Sequence, residues 1–482
     1  MNDATFSFAA LLPALPEIYL TFAICALLLI DVFMGPKHTQ ITGSLTLVVL
    51  AVGALLTMLF ATPDQPVRLF DGMYIADRLA TLLKLAGFLF VAVGLYYSSD
   101  YLHRRGILKG EYYVLALTAL LGIFVLASAG SMLTVYIGIE LLSLSLYALV
   151  AFDRASGVAA EAAMKYFVLG AIASGTLLYG MSIVYGLTGS LDLIVIAQAL
   201  SGPPSLGLIL GVVFIVVAVA FKFGAAPFHM WVPDVYQGAP VSVTLLVATA
   251  PKLASFALAF RMLTQGLEHA SPHWTQMLAI IAVLSIALGN IVAIAQTSLL
   301  RMLAYSAIAN VGFVLFGFVA GTPEGYQAAL YYTLVYVLMV LGSFGVVLLA
   351  GRGGFEADEI SHYKGLSSRD PSLALMMLML MFSTAGVPPF VGFWAKLGII
   401  QALLSSGHVW LAAIAVFFSV IGAFYYLRIV WVMYFDSPDG LPGALRRAPL
   451  RLILGINALV VLVLGLLPDK LLQVCAAVIG SL

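Results

Sequence analysis

About fourteen apolar runs of spanning length constrain this chain more than any other feature. They fall at roughly 11–33, 41–61, 77–98, 111–130, 131–151, 162–187, 207–236, 240–265, 274–297, 299–320, 326–350, 371–405, 408–434 and 450–470. A helix rises ~1.5 Å per residue and a bilayer core is ~30 Å thick, so about twenty apolar residues make one crossing. Backbone groups in lipid must be satisfied within the segment, which makes such runs helices. The expected fold is all-α, a polytopic membrane protein of about 14 transmembrane helices. A hydrophobic content of 63%, a charged content of 9% and a mean hydropathy of +1.09 exclude soluble and disordered classes. No positive residue precedes Lys37. The first run therefore lacks the basic start of a signal peptide and is expected to stay as a helix.

Most runs are separated by polar or Gly/Pro punctuation, such as GPKH at 35–38, ATPDQPVR at 61–68 and SPDGLPG at 437–443. Runs four and five meet at Ser128–Ser131, a weak boundary. The longest polar stretch is 351–371, so no soluble domain is expected within the chain. Its GRGGFE (351–356) is no nucleotide loop, since no strand precedes it.

Lys plus Arg equals Asp plus Glu at 22 each, so no bulk charge points to nucleic acid. Cys25 and Cys475 are the only cysteines, too few for an iron–sulfur cluster or a disulfide framework. No bound cofactor is expected.

Loops after odd-numbered runs hold Lys37, Arg104, Arg105, Lys109, Arg154, Arg301, Arg352, Lys364, Arg369, Arg446, Arg447 and Arg451. The other side holds Arg68, Arg78, Arg261 and Lys470. This bias puts 101–109 in the cytoplasm and both termini outside. The remaining cations, Lys84, Lys165, Lys222, Lys252, Lys396 and Arg428, fall within runs, with Glu140 the one carboxylate deep in a run. Lys84 lies near Asp77, and Arg428 near Asp436; snorkelling to the interface is the expectation for both.

The run at 207–236 breaks its own pattern. In FKFGAAPFHMWVPDVYQGAP (221–240), Lys222 stands roughly 22 Å into the helix, followed by Gly224 and Pro227. Proline removes a donor and glycine loosens the backbone. Irregular backbone at that depth survives only inside protein or beside water, and a buried cation there suggests an ion path. His229, just past the break, is either a relay or a packing histidine. Asp234 and Tyr236 are expected to cap or anchor the second half.

A similar break occurs in FSTAGVPPFVGFWAK (382–396), with Gly386, Pro388 and Pro389. Aligning Pro227-Phe228 with Pro389-Phe390 sets the two breaks five runs apart. An odd number of crossings reverses direction, so the two units would be inverted repeats, the pointer to a transport site. Two unrelated proline kinks are the alternative. The resulting division is 1–110 (helices 1–3), 111–265 (first repeat, helices 4–8), 266–434 (inverted second repeat, helices 9–13) and 435–482 (helix 14 and tail).

These residues carry a family resemblance. GIELLSLSLYAL (138–149), the 221–240 segment, LLRMLAYSAIANVGF (299–313), GTPEGYQAALYYTLVY (321–336) and FSTAGVPPFVGFWAKL (382–397) resemble the antiporter-like membrane subunits of proton-pumping NADH:quinone oxidoreductase, complex I. The wording VPDVYQGAP sets the chain closer to one branch than to subunits M and L. The resemblance implies fourteen helices, broken helices 7 and 12, no redox cofactor, and proton translocation coupled to quinone reduction elsewhere. It implies a bacterial inner-membrane location, with subunit M and small subunits such as K as neighbours. Its proton-path residues match Glu140, Lys165, Lys222, Lys252 and Lys396. Where the family often reads SSIxHxGY, this chain has Asn310, which cannot titrate. A multi-subunit cation/proton antiporter shares the fold and is the alternative transporter; a non-conducting scaffold is the alternative class.

The chemistry suits these residue types. Burial disfavours a charged lysine and a nearby carboxylate opposes that, so Glu140 close to Lys222 would make a tunable site. A structural ion pair is the alternative. Lys252 and Lys396 have no evident carboxylate partner in the sequence.

Overall fold

The computed structural model describes residues 8–35, 38–63, 65–202, 205–351, 356–438 and 447–482. Lys37, Arg352 and Arg446, together with parts of the 35–38, 351–356 and 437–443 segments, lie outside the described residues.

The apolar runs become helices whose starts are set by short polar side chains. Asp77, Ser131, Ser156, Ser205, Ser298 and Thr322 each accept a backbone N–H from the first turn of the helix that follows. Such caps satisfy donors that the helix cannot. Among the described residues, thirteen helices are long and apolar enough to cross a membrane. The pair Pro371–Ala385 and Val391–Ser405 supplies one further, interrupted crossing.

In chain order, α1 (Leu15–Met34), α2 (Thr39–Phe60) and α3 (Arg78–Arg104) form the N-terminal group. Next come α4 (Gly110–Ala127), α5 (Met132–Val150), α6 (Gly157–Thr188), a short α7 (Leu193–Ala199), and α8 (Leu206–Phe223) with α9 (Trp231–Gly238). The weak boundary at 128–131 is thus a real turn. Run eight is itself divided into α10 (Val241–Ala248), α11 (Pro251–Ala259) and a π-helical turn, Phe260–Gly266. Pro251 opens α11, and Lys252 follows it directly. The sequence reading anticipated breaks only in runs seven and twelve.

The second half holds α12 (Ser271–Ile294), α13 (Leu299–Val319), α14 (Pro323–Ala350), a short α15 (Leu366–Arg369), then α16 (Pro371–Ala385), α17 (Val391–Ser405) and α18 (Val409–Phe435). The chain closes with α19 (Ala448–Leu466) and a short α20 (Asp469–Ile479). The last of these and α7 were not anticipated. A two-stranded antiparallel ribbon, β1 (Val67–Leu69) and β2 (Tyr74–Ala76), lies in the loop between α2 and α3.

Helices α10, α11, α13 and α14 make the interior and are almost wholly buried. Helices α1, α2, α18 and α19 ring it, and their outer faces expose Phe22, Phe33, Leu59, Trp410, Phe435 and Leu452. In a bilayer such apolar faces meet lipid or another apolar helix.

Two cations require correction. Lys84 does not snorkel: it is 1% exposed, and its Nζ pairs with Glu17 Oε1 of α1 at 2.6 Å. It also donates to Tyr74 Oη at 2.9 Å, while Tyr74 and Ser128 donate to Glu17. Glu17 is therefore a second intramembrane carboxylate, hidden from the sequence reading by its place near the start of run one. Arg261 is not a loop cation: it is 0% exposed and pairs with Asp77 at 2.7 Å. It donates twice more to the carbonyl of Ala127, at 3.1 and 2.7 Å, closing the end of α4. Both pairs exist because burial makes a counter-ion obligatory for a cation that must stay charged. Arg428 reaches the end of α12, where it donates to the carbonyls of Ile294 and Gln296.

Candidate functional site: buried amines at two helix breaks

The first break is a Schellman turn. Helix α8 stops at Phe223 because Gly224 takes a left-handed conformation (φ 76°), open to glycine at little cost. Ala225 N then bonds to Ala220 O at 2.8 Å and Gly224 N to Phe221 O at 2.9 Å. The second break repeats this turn. Helix α16 stops at Ala385, Gly386 is left-handed (φ 88°), Val387 N bonds to Phe382 O at 3.0 Å and Gly386 N to Ser383 O at 2.9 Å.

A helix end leaves carbonyls without partners, and here side chains supply them. At the first break Trp231 Nε1 donates to Phe221 O (3.1 Å), Ser255 Oγ to Lys222 O (3.0 Å) and Lys252 Nζ to Phe223 O (2.7 Å). Ser285 of α12 accepts from Ala226 N at 2.8 Å. At the second break Lys396 Nζ donates to Ala385 O at 2.8 Å and to Ser419 Oγ of α18 at 3.0 Å. The ammonium lies 5.3 Å from the centre of the Phe313 ring. A lysine thus closes the same carbonyl in both breaks, from helix α11 in one and from α17 in the other. The negative end of each half-helix favours a cation at that point.

Lys222 points the other way, donating to Ser143 Oγ of α5 at 2.6 Å. Ser143 stands one turn beyond Glu140, whose Oε1 accepts from Ser174 Oγ of α6. Glu140 and Lys222 are neighbours through this serine and form no ion pair. Between Lys222 and Lys252 lies a cavity of about 20 Å³, lined also by Ser143, Ser255, Tyr166 and Trp231. That is room for one water, which needs two to four polar partners and finds them here.

Lys165 is elsewhere. It lies near the start of α6 with its side chain 46% exposed, paired with Glu161 at 2.9 Å and Asp234 at 2.8 Å. Asp234 also pairs with Arg301 at 3.2 Å, so it ties α6, α9 and α13 together rather than capping α9. His229 is half-buried in the turn after the break, its Nδ1 without a partner among the described residues and its ring 6.5 Å from that of Tyr305. Asn310 is fully engaged: Tyr332 Oη donates to its Oδ1 at 2.7 Å, and its Nδ2 donates to Ser306 O at 2.7 Å and Tyr426 Oη at 3.2 Å.

The serines were missed by sequence reasoning. Ser143 and Ser255 each follow a singled-out residue, Glu140 and Lys252, by three positions, a spacing that puts both on one helix face. That signal was available. Ser285 and Ser419 come from distant helices and left none.

Among the described residues no group of three or more His, Cys, Asp or Glu could hold a metal ion.

Comparison with known proteins adds to this geometry. Residues 129–422 match the family model described as NADH:quinone oxidoreductase/Mrp antiporter, TM. The chain is 54% identical to NADH-quinone oxidoreductase subunit N of Thiobacillus denitrificans, over 97% of each chain. It is similar to a chain of respiratory complex I from Thermus thermophilus, with a TM-score of 0.81, 32% identity, and coverage of 95% of this chain and 98% of that one. A chain of the Mrp complex from Dietzia sp. superposes with a TM-score of 0.85 at 19% identity, covering 98% and 97%, which shows a shared fold.

Proposed function

The chain belongs to the NADH:quinone oxidoreductase/Mrp antiporter transmembrane family, and from that premise we propose how its side chains carry protons. It is a multi-pass, membrane-arm subunit of a respiratory NADH:quinone oxidoreductase, and it translocates protons while quinone reduction takes place elsewhere in the complex.

One observation carries the reading of the path. Lys222, Lys252 and Lys396 are interior amines that meet only neutral oxygens among the described residues: a serine, a backbone carbonyl, and a carbonyl with a serine. Lys84 and Arg261, by contrast, each have a carboxylate. A buried cation kept for structure alone is normally paired, since an uncompensated charge is costly in the interior. An amine held by neutral acceptors can lose its proton and keep its hydrogen-bonding atoms, as exchange requires. Glu140, one turn from the serine that holds Lys222, biases that exchange electrostatically.

Transfer between Lys222 and Lys252 runs through the cavity between them, where one water can accept from one amine and donate to the other. Lys396 serves the second break, and Asn310, locked by two tyrosines, takes no proton. Lys165 acts from the surface through Asp234. His229, whose Nδ1 has no partner among the described residues, is a candidate relay.

The two units, 111–265 and 266–434, are read as inverted repeats. Matching Schellman turns at corresponding places in the two units, each closed by a lysine, support this reading. The end bearing Arg104, Arg105, Arg154, Arg301 and Arg447 is assigned to the cytoplasm of a bacterial inner membrane, with both termini outside. Subunit M and small subunits such as K are the proposed neighbours. Glu140 supports a polypeptide neighbour at α5 and α6, being only partly covered at mid-helix, where lipid is a poor surrounding for a carboxylate.

The test is reconstitution of the assembled complex with Lys222→Ala, Lys252→Ala, Lys396→Ala or Glu140→Ala. Pumping, read by a pH-sensitive dye, should fall together with coupled quinone reduction, in complexes of normal subunit content. Normal proton-to-electron ratios at normal turnover in all four would favour a scaffold.

A further inference from the structure

Tyr147 and Tyr236 are each more than nine-tenths buried, and neither hydroxyl has a hydrogen-bond partner among the described residues. Buried hydroxyls are seldom left so, and one that is needs an explanation. Both sit on the basic-end side of Lys222. Tyr147 is one turn beyond Ser143 on α5, with its hydroxyl close to the Ser143 side chain. Ser143 in turn holds Lys222 at 2.6 Å. On the other flank the Tyr147 hydroxyl rests on Gly170 of α6, where a Cβ would lie 1.8 Å from it.

Tyr166 joins the two. Its ring centre is 4.7 Å from that of Tyr147, it stacks on Trp231 at 4.5 Å, and it lines the cavity between Lys222 and Lys252. Tyr236 lies within electrostatic reach of Tyr166 and stands two residues beyond Asp234, in the exposed cluster with Lys165 and Arg301. Polar groups therefore run from that surface cluster, past Tyr236, Tyr166 and Tyr147, to Ser143 and Lys222.

We propose that the hydroxyls of Tyr147 and Tyr236 are the proton inlet to Lys222 from the basic end of the bundle. The inference rests on the reading in which Lys222 exchanges protons. A water entering beside Tyr236 or Tyr147 supplies the hydrogen bonds that the hydroxyl lacks. Each hydroxyl then passes its own proton forward as it takes one from behind, so no charge stays on the ring. In the last transfer the Ser143 hydroxyl turns from the carbonyl of Ile139, to which it donates at 2.6 Å, onto the neutral Lys222 amine as it takes a proton from the Tyr147 side.

The experiment uses the assembled complex in proteoliposomes, with Tyr147→Phe, Tyr236→Phe and the double variant beside Lys222→Ala and Tyr331→Phe. Tyr331 on α14 also has a buried hydroxyl without a partner among the described residues, but it packs toward Cys475 and lies off this route. The double variant is expected to pump about tenfold more slowly, the scale of one hydrogen bond lost from the barrier, with an altered solvent isotope effect and normal assembly. Tyr331→Phe should match the unsubstituted complex. Unchanged pumping and isotope effect in the double variant, with Lys222→Ala inactive, overturn the inlet alone. An equal loss in Tyr331→Phe also overturns it, since any buried hydroxyl would then suffice. Full pumping by Lys222→Ala refutes the reading on which the inlet rests.

Discussion

Lys252 and Lys396 close equivalent carbonyls: one donates to Phe223 at 2.7 Å, the other to Ala385 at 2.8 Å, each the residue before a left-handed glycine. The two lysines are not at equivalent sequence positions. The position has been filled from α11 at one break and from α17 at the other, so the carbonyl rather than the helix fixes where the amine must be.

That relationship separates charge from exchange. Lys396→Arg keeps a cation over Ala385 but does not give up its proton, because a guanidinium stays charged in proteins. The expected outcome is normal assembly with depressed pumping, measured as dye response per quinone reduced. Lys396→Met also leaves a buried carbonyl unsatisfied, at about 1–3 kcal/mol, and should lower the melting temperature besides abolishing pumping. If Lys396→Arg pumps normally, the charge alone is what the position needs.

Lys84 and Glu17 behave as a structural pair in this fold, with Tyr74 and Ser128 satisfying the carboxylate. Removing one partner of a buried pair strands the other and costs about 3–5 kcal/mol, whereas removing both is nearly neutral. Lys84→Met should therefore loosen the hold of the bundle on α1, read by limited proteolysis and by the yield of intact complex. Glu17→Gln combined with Lys84→Met should recover most of the loss. Equal losses in the single and double variants would mean that Lys84 has a further role.

Gly170 is required by Tyr147. An alanine Cβ there would stand 1.8 Å from the tyrosine oxygen and force α5 and α6 apart, an overpacking cost of about 1–3 kcal/mol. Gly175 on the same helix has nothing within 4 Å of its Cβ position, and Gly175→Ala gains up to about 1 kcal/mol of helix propensity. Thermal melting of the two purified variants should move in opposite directions. A tolerated Gly170→Ala would mean that Tyr147 can leave its place at no cost.

Orientation is open to labelling. Gly106 and Gln65 are both exposed, at opposite ends of the bundle. In a background lacking Cys25 and Cys475, Gly106→Cys should resist an impermeant maleimide added to intact cells and Gln65→Cys should react. Reaction at position 106 from outside would reverse the assignment.

The sequence by itself determined the all-α membrane fold, because long apolar runs leave the backbone no other way to satisfy its hydrogen bonds in lipid. It also located the two principal breaks, since Gly224 with Pro227 and Gly386 with Pro388 are local instructions that need no partner to be read. The cations at Lys222, Lys252 and Lys396 stood out for the same reason, as charges in apolar runs. Which of the other cations were paired was decided only in three dimensions. Lys84 of α3 meets Glu17 of α1, and Arg261 meets Asp77 from the far end of run eight; no spacing rule links partners on separate helices. Exposure was equally hidden: Lys165 and Lys222 look alike in sequence, yet one faces outward and the other lies against Ser143. The division of run eight before Lys252, and the serines that hold the amines, likewise follow from how separate helices pack, because the acceptor of a buried donor is chosen by proximity in space.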